Sequence, residues 1–175
     1  MKDYLIVVDI QNDFVDGALG TGEAQAMIDA AAKRIRDFSG KVFVTMDTHF
    51  ENYLNTREGK NLPVVHCIQG TPGWACYGET AQALAEVEAP AIDKLVFGMD
   101  ITDPATAAVL PEQADEIELV GLVSNICVVS NALLLKAYFP EAPISVDAAC
   151  CAGVTPESHR AALATLRSCQ IDVAE

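Results

Sequence analysis

The sequence predicts an α/β protein in which helices cover both faces of a parallel sheet. Short apolar runs alternate with segments whose apolar residues have helical spacing, and no repeat or linker interrupts this order. The first run, residues 4–8, is continuously hydrophobic, as in a strand buried on both faces. A chain of 175 residues, 51% of them hydrophobic, suits one compact domain spanning residues 1–175.

The other elements follow in the same alternating order. The predicted strands are residues 4–8, 41–46, 91–96, 117–122 and 143–147, with an edge strand at 170–174. The predicted helices are residues 23–38, 79–87 and 103–110, a helix that starts at Cys127, and residues 155–168. Pro104 and Pro156 each suit the first turn of a helix, and Thr155 suits an N-cap.

The charge balance excludes two classes of partner. The chain has 11 Lys and Arg residues against 25 Asp and Glu residues, a formal net charge of −14 at pH 7. Nucleic acids and anionic membranes are bound through basic patches that this composition can hardly supply. We therefore expect neither a nucleic-acid partner nor a membrane partner.

The cysteines and the N-terminal segment indicate a reducing compartment. Six cysteines lie at irregular spacings without a CxxC pair, which suits free thiols better than a disulfide framework or a zinc ribbon. Asp9 interrupts the first apolar run, so this run fits neither a signal peptide nor a membrane span. The expected location is the cytoplasm.

Residues 117–138 contain a candidate nucleophile. A buried strand leads into small, turn-forming residues, and Cys127 then opens an apolar run with helical spacing. A thiol in the first turn of a helix lies near unpaired N–H groups and the positive end of the helix dipole, and both lower its pKa. The alternative is that Cys127 is a small buried hydrophobic residue, as most free cysteines are.

Two further strands carry groups that such a nucleophile needs. Ligands of parallel α/β sheets bind outside the carboxyl ends of the strands. Asp9 ends the first strand and Lys94 lies in the third. The carboxylate can accept the thiol proton, and the ammonium can stabilise a thiolate. The alternatives are that Asp9 caps a turn and that Lys94 reaches solvent from an edge strand.

Five short motifs together resemble the isochorismatase-like cysteine hydrolases, and in particular their nicotinamidase and pyrazinamidase branch. They are DIQNDF at 9–14, MDTH at 46–49, VVHCIQGTPGW at 64–74, DK at 93–94 and GLVSNICV at 121–128. The resemblance implies a six-stranded parallel sheet flanked by helices and a catalytic triad of Asp9, Lys94 and Cys127. It also implies an oxyanion hole formed by the N–H groups of Val123 and Cys127, and a cis peptide bond between Val123 and Ser124.

The long polar segment 47–78 contains a candidate metal site. Asp47 and His49 alternate along an extended strand end and so point to the same side, and His66 follows at the far end of the loop. One carboxylate with two imidazoles suits Zn²⁺, with Mn²⁺ or Fe²⁺ as alternatives, and disfavours Ca²⁺ and Mg²⁺. Nicotinamidases, which the chain resembles, use such a metal. The alternative is two incidental surface histidines.

Two residues compete to complete this site. Asn55 and Glu58 each stand where some nicotinamidases carry a further ligand. An amide oxygen is a poor ligand for a borderline transition metal, whereas Glu58 would add a second carboxylate. The alternative is that Glu58, between two basic residues, is a solvated surface charge. We predict a metal site formed by Asp47, His49, Glu58 and His66.

The expected substrate pocket departs from the family pattern. Phe14 matches one of two aromatic residues that hold the ring in nicotinamidases, but Leu62 and Pro63 occupy the second place. Phe97 is expected to line the wall. Trp74 either packs against the preceding Gly-rich turn or faces the pocket, and we include it among the pocket residues.

A second departure adjoins the nucleophile. Ser124 and Asn125 stand where nicotinamidases usually have Thr-Asp, so a negative charge beside Cys127 is lost. The catalytic geometry can survive this change. The resemblance therefore supports the amidase class more firmly than it supports nicotinamide as the substrate.

The predicted reaction is hydrolysis of a small amide, with release of ammonia, through a thioester on Cys127. Nicotinamide or a related aromatic amide is the expected substrate, a divalent transition metal the expected cofactor, and a homo-oligomer the expected assembly. The alternative substrates are non-aromatic amides, ureides or carbamoyl compounds. The alternative outside enzymes is a metal-binding or thiol-sensing protein, which would need neither Asp9 nor Lys94.

Overall fold

The computed structural model describes residues 3–110 and 116–175 and has the predicted α/β architecture. All strand pairs of its six-stranded sheet are parallel, in the order β3-β2-β1-β4-β5-β6. The strands are β1 Tyr4–Val8, β2 Lys41–Asp47, β3 Ala91–Lys94, β4 Ile117–Leu122, β5 Ile144–Ala152 and β6 Asp172–Ala174. The α-helices are α1 Asn12–Val15, α2 Gly22–Ala26, α3 Ile28–Asp37, α4 Arg57–Asn61, α5 Gly78–Glu86, α6 Pro104–Val109, α7 Val129–Tyr138 and α8 Pro156–Ser168.

Two hydrophobic cores lie on opposite faces of the sheet. Successive side chains of a strand point to opposite faces. Leu5 and Val7 of β1 therefore enter the core shared with α2, α3 and α5, whereas Ile6 and Val8 enter the core shared with α7 and α8. Because β1 is buried on both faces, it shows the continuous apolar run that the sequence has at this point.

The order of the strands fixes where a ligand can bind. β1 lies between β2 and β4, and the chain order reverses direction between β1 and β4. Such a switch point opens a crevice at the carboxyl ends of the two strands. Asp9 leaves β1 and the segment with Cys127 leaves β4 at this crevice, while Asp47 and Lys94 pair at the ends of β2 and β3.

Three elements differ from the sequence prediction. The predicted helix 23–38 is divided into α2 and α3 at Met27, a one-residue irregularity that apolar periodicity cannot detect. β5 continues to Ala152 instead of ending at residue 147, because its register against β4 shifts between Leu119 and Gly121. β3 ends at Lys94, and residues 95–96, predicted as strand, are exposed.

The six cysteines are all free thiols, four of them buried. Cys150 and Cys151 are neighbours in β5 and lie in different cores, since they point to opposite faces of the sheet. Among the described residues, no helix combines the length and hydrophobicity needed to cross a membrane.

Candidate active site and metal centre

The three candidate catalytic side chains meet at the crevice between β1 and β4. Nζ of Lys94 lies 2.6 Å from Oδ2 of Asp9 and 3.6 Å from Sγ of Cys127. All three residues are buried, and Cys127 is the most exposed at 4%. A carboxylate, an ammonium and a thiol at these distances can exchange a proton.

Asp9 is held in an unusual backbone conformation with its carboxylate fixed at both oxygens. Its φ is +48°, which turns the chain sharply out of β1. The Thr45 hydroxyl, one strand away on β2, donates to Oδ1 over 2.7 Å, so Oδ2 is left for Lys94. Burial raises the pKa of Asp9 to about 6, although Lys94 opposes this change. Asp9 is thus able to accept a proton near neutral pH.

Cys127 lies within a π-helix, Ser124–Val128, that precedes α7. The sequence predicted an α-helical first turn and a lowered thiol pKa. The structure differs, because burial and the nearby Asp9 carboxylate raise the pKa of Cys127 well above its usual value, with Lys94 opposing them. A raised pKa favours the thiol form of Cys127, and the buried Asp9 carboxylate lies on the other side of Lys94 as a candidate proton acceptor.

The turn before Cys127 contains a cis peptide bond between Leu122 and Val123. The sequence prediction placed this bond one residue later, between Val123 and Ser124, and was wrong by one position. The cis bond coincides with the last residue of β4, whereas the bond after Val123 already leads into the π-helix.

Four side chains in segment 47–66 form a group that could hold a metal ion. They are Asp47, His49, Glu58 and His66, and their ligand atoms all lie within 4.8 Å of one another. Nε2 of His49 is 3.1 Å from Oδ2 of Asp47 and 3.5 Å from Oε1 of Glu58. Asn55, the other candidate for the fourth position, is exposed, whereas Glu58 is partly buried and faces His49.

The donor set fits a divalent transition metal. Nδ1 of His66 lies 2.8 Å from the carbonyl oxygen of Val64, which orients the ring with Nε2 toward the carboxylates. Nε2 of His49 is buried and lies close to two carboxylates, but among the described residues it makes no hydrogen bond of good geometry, as expected for a metal ligand. Burial would lower the pKa of His49, but Asp47 and Glu58 raise it to about 9, so the group attracts positive charge.

Gln11 is an important site residue that the sequence analysis did not identify. Its side chain is fully buried, and it accepts from the Asp47 N–H at 2.8 Å and donates to the Asp47 carbonyl at 2.9 Å. A further bond of 2.8 Å reaches the carbonyl of Trp74. The Gln11 amide thus replaces the strand partner that Asp47 loses where β1 ends. A glutamine two residues after the strand-end Asp9 was the available signal.

A small cavity of about 210 Å³ connects Cys127 with the metal-binding group. Phe14 and Phe97, both predicted, line it together with Leu62. Trp74 is not among the lining residues; its indole N–H donates to the Thr48 hydroxyl at 2.9 Å, so its inclusion in the pocket was wrong. A larger cavity of about 630 Å³ touches Lys94 but not Cys127, and the smaller one is therefore the candidate substrate site.

The chain resembles known proteins over nearly its whole length. A family model described as the isochorismatase domain matches residues 3–175. A nicotinamidase/pyrazinamidase of Mycobacterium tuberculosis is 26% identical over 186 residues, covering 97% of this chain and 96% of that protein. The crystal structure of a nicotinamidase/pyrazinamidase from Bacillus subtilis has a TM-score of 0.87 at 24% identity, with 100% of both chains covered. A pyrazinamidase from Pyrococcus horikoshii in complex with zinc has a TM-score of 0.79 at 24% identity, covering 100% of this chain and 99% of that one.

Proposed function

The chain belongs to the isochorismatase family, and we propose that it is a cysteine amidohydrolase that releases ammonia from a small amide, with nicotinamide or a related aromatic amide as its substrate. One observation carries this proposal. The Asp9, Lys94 and Cys127 side chains meet at one end of a small cavity that the metal-binding group reaches as well.

The first half of the reaction forms a thioester. Asp9 accepts the proton of the Cys127 thiol, and the sulfur attacks the amide carbonyl carbon. Lys94 stabilises the carboxylate and the developing thiolate, since its ammonium faces both. The oxyanion lies against the N–H groups of Val123 and Cys127, residues that both line the cavity.

The second half of the reaction releases the acid. Protonated Asp9 gives its proton to the departing nitrogen, which leaves as ammonia. Asp9, again a carboxylate, then accepts a proton from the water that attacks the thioester. The C–S bond then breaks and Asp9 returns the proton to the sulfur, so the Cys127 thiol and the carboxylic acid are the products of this step.

The Asp47, His49, Glu58 and His66 side chains would hold the metal ion, for which Zn²⁺ is the first choice and Mn²⁺ or Fe²⁺ the alternatives. When bound, the metal would supply a coordination position that orients a ring nitrogen of the substrate. The zinc complex of the similar protein from Pyrococcus horikoshii supports this choice.

The cavity wall favours a second substrate class as well. Leu62 stands where nicotinamidases carry an aromatic residue, and Leu19, Ile126 and Val154 add further aliphatic surface. Aliphatic walls provide contact without requiring the flat face of an aromatic ring. A compact non-aromatic amide, ureide or carbamoyl compound is therefore the second candidate.

Ammonia release distinguishes these substrates. Purified protein is incubated with nicotinamide, pyrazinamide, a branched aliphatic amide and an N-carbamoyl amino acid, each with and without a metal chelator. We expect turnover of the aromatic amides and its loss with the chelator. Turnover of the aliphatic or carbamoyl compounds alone would show that the substrate belongs to the non-aromatic class. No ammonia from any of them, with Zn²⁺, Mn²⁺ or Fe²⁺ supplied, would contradict the amidohydrolase proposal.

We also propose that the enzyme is a single-domain cytoplasmic protein that forms a homo-oligomer. Six free thiols suit a reducing compartment. Leu95, Val96 and Leu134 are between about a third and two thirds exposed and supply apolar surface for self-association. Light scattering of the purified protein measures its assembly state, and a monomer at micromolar concentration would contradict the oligomer.

A further inference from the structure

We propose that Ser124 and Asn125 are positioning residues that dock the nucleophile turn, residues 122–127, on the N-terminus of α8 and so place Cys127 against Asp9 and Lys94. The inference depends on the proposed function in one respect, that Cys127 is the nucleophile. Neither residue is among those that line the substrate cavity, so both would act through the turn and not on the substrate.

A single oxygen of Asn125 joins the turn to α8. Its Oδ1 accepts from the N–H of Val154 at 3.0 Å and lies 3.3 Å from the hydroxyl of Ser158, whose proton it shares with the Thr155 carbonyl oxygen at 2.9 Å. Ser158 also belongs to the capping box with Thr155 that starts α8. The side chain of Val154 lines the cavity, so the same oxygen holds the turn and a part of the pocket wall.

Ser124 makes the second contact. It is fully buried, and its Oγ lies 2.9 Å from Nδ1 of His159, which is located in the first turn of α8. Burial and the neighbouring Arg160 lower the pKa of His159. A lowered pKa favours the neutral ring, which shares a hydrogen bond with the Ser124 hydroxyl at Nδ1. Two contacts from successive residues to one helix fix both the position and the rotation of the turn.

Gly153 permits this close approach. A Cβ at residue 153 would lie 2.7 Å from the backbone nitrogen of His159 and 3.0 Å from Oδ1 of Asn125. Any side chain there would separate the turn from α8. Both partners contribute to this contact: the turn supplies polar side chains, and the segment before α8 supplies a glycine.

The docking also explains how the chain keeps its geometry without the acidic residue that nicotinamidases usually have at position 125. An amide oxygen accepts the same two hydrogen bonds as a carboxylate oxygen. Asn125 therefore preserves the contact to α8 while it removes a charge near Cys127. The acceptor, and not the charge, is the property that this position requires.

The test compares variants by two readouts that do not depend on each other. One is the rate at which iodoacetamide alkylates Cys127, followed by mass spectrometry of its peptide, and the other is kcat for amide hydrolysis. The variants are Asn125→Ala, which loses the acceptor, Asn125→Asp, which keeps it, and Ser124→Ala. Ser130→Ala is the matched control, because the Ser130 hydroxyl bonds to the Ile126 carbonyl within the same helical segment and does not reach α8.

We expect Asn125→Ala and Ser124→Ala to lower the alkylation rate and kcat about tenfold or more, since small displacements of a reacting atom are costly. In Asn125→Asp both the alkylation rate and kcat should remain within about twofold of the wild-type values. In Ser130→Ala both should equal the wild-type values. If Asn125→Ala and Ser124→Ala lower only the melting temperature, or if Asn125→Asp loses as much as Asn125→Ala, the proposal is wrong. If the wild type hydrolyses no amide, the proposed function is wrong, but the alkylation rates still show whether Ser124 and Asn125 position Cys127.

Discussion

At the scale of single residues, Asp47 links the two halves of the site. Its Oδ1 lies 3.1 Å from Nζ of Lys94, and its Oδ2 lies 3.1 Å from His49 and 3.5 Å from His66. Burial would raise the pKa of Asp47, but these three neighbours hold it well below its usual range. Asp47 is therefore a permanent anion that serves the triad with one oxygen and the metal-binding group with the other.

If the proposed mechanism holds, Cys127→Ala should abolish turnover and leave the fold and the bound metal intact, since the proposal makes Cys127 the attacking sulfur and Cys127 is not part of the metal-binding group. Ammonia release and metal content are measured on the same preparation. Cys169→Ala, a substitution at a half-buried thiol remote from the cavity, is the control and should keep full activity. Substantial activity in Cys127→Ala would refute the mechanism.

The pH dependence of kcat/KM should report Asp9. Asp9 accepts the thiol proton only as a carboxylate, so activity should fall as the pH drops below its pKa of about 6. Thr45→Val removes the hydroxyl that donates to Oδ1, which raises this pKa. The acidic limb should then move to higher pH by about 0.5 to 1.

Thr80→Val is the control for this pH profile. The Thr80 hydroxyl is as deeply buried as that of Thr45, but it bonds to the Tyr77 carbonyl, away from the triad. Its profile should follow the wild type. If the acidic limb of the kcat/KM profile does not move in Thr45→Val, Asp9 does not determine this limb.

Residues at strand ends could be predicted from the sequence, whereas their supporting residues could not. Asp9, Asp47 and Lys94 are visible because each interrupts or ends an apolar run. Gln11 and Thr45 support them through buried hydrogen bonds to residues 36 positions away, and such contacts depend on which strands are neighbours. The thiol pKa was predicted with the wrong sign for the same reason, since the sequence does not reveal burial beside Asp9.

At the scale of elements, the contact between β1 and β4 requires Gly121. This residue has a φ of +123°, and it pairs with Val8. A Cβ at position 121 would lie 2.1 Å from the Val8 carbonyl oxygen. A side chain would therefore push apart the two strands whose ends carry Asp9 and Cys127.

Gly121→Ala should destabilise the protein by about 3 kcal/mol or more, because the strain cannot be relieved by a flexible side chain. Gly22→Ala is the matched control, since a Cβ there would meet nothing within 4 Å. That change should be neutral or stabilising by about 0.5 kcal/mol. Urea denaturation measures the free energy of unfolding of both variants. Equal stability of the two would contradict the close approach of β1 and β4.

The packing of α3 on the sheet includes a partly buried ion pair. Arg34 bonds to both carboxylate oxygens of Glu118, at 2.6 Å and 2.7 Å, and the Glu118 side chain is only 1% exposed. Arg34→Ala would break this ion pair with a buried carboxylate and should lower the free energy of unfolding by about 3 kcal/mol. Arg36→Ala breaks exposed pairs of the same helix and should lower the free energy of unfolding much less, because solvent screens these charges. Similar unfolding free energies for the two variants would contradict this prediction.

Elements that follow one hydrophobic period were predicted well, and those with local irregularities were not. β4 has the predicted bounds, and α8 starts at Pro156, directly after the predicted Thr155 cap. The break at Met27, the shifted register of β5 and the π-helix around Cys127 each depart from the regular period of their segment. A hydrophobic period predicts the type of an element and does not detect local irregularities of this kind.

At the scale of the whole molecule, the metal-binding group joins the loop after β2 to the sheet. Asp47 ends β2, while Glu58 lies in α4 and His66 near the end of the loop, so one ion would connect three parts of the chain. A ligand that binds only the folded state stabilises it by about 2.7 kcal/mol at a hundredfold excess over Kd. Addition of Zn²⁺ to chelator-treated protein should therefore raise the melting temperature by about 5 to 10 °C.

Glu58→Gln should reduce this stabilisation and weaken metal binding about tenfold or more, because the second carboxylate that faces His49 becomes a poorly coordinating amide. Metal affinity is measured by competition with a chromogenic chelator, and the melting temperature by calorimetry. Glu51→Gln, at an exposed carboxylate of the same loop, should change neither value. Asn55→Ala should bind metal as the wild type does, since Asn55 is exposed and an amide oxygen is a poor ligand for a transition metal. If Asn55→Ala loses the metal and Glu58→Gln keeps it, Asn55 completes the site in place of Glu58.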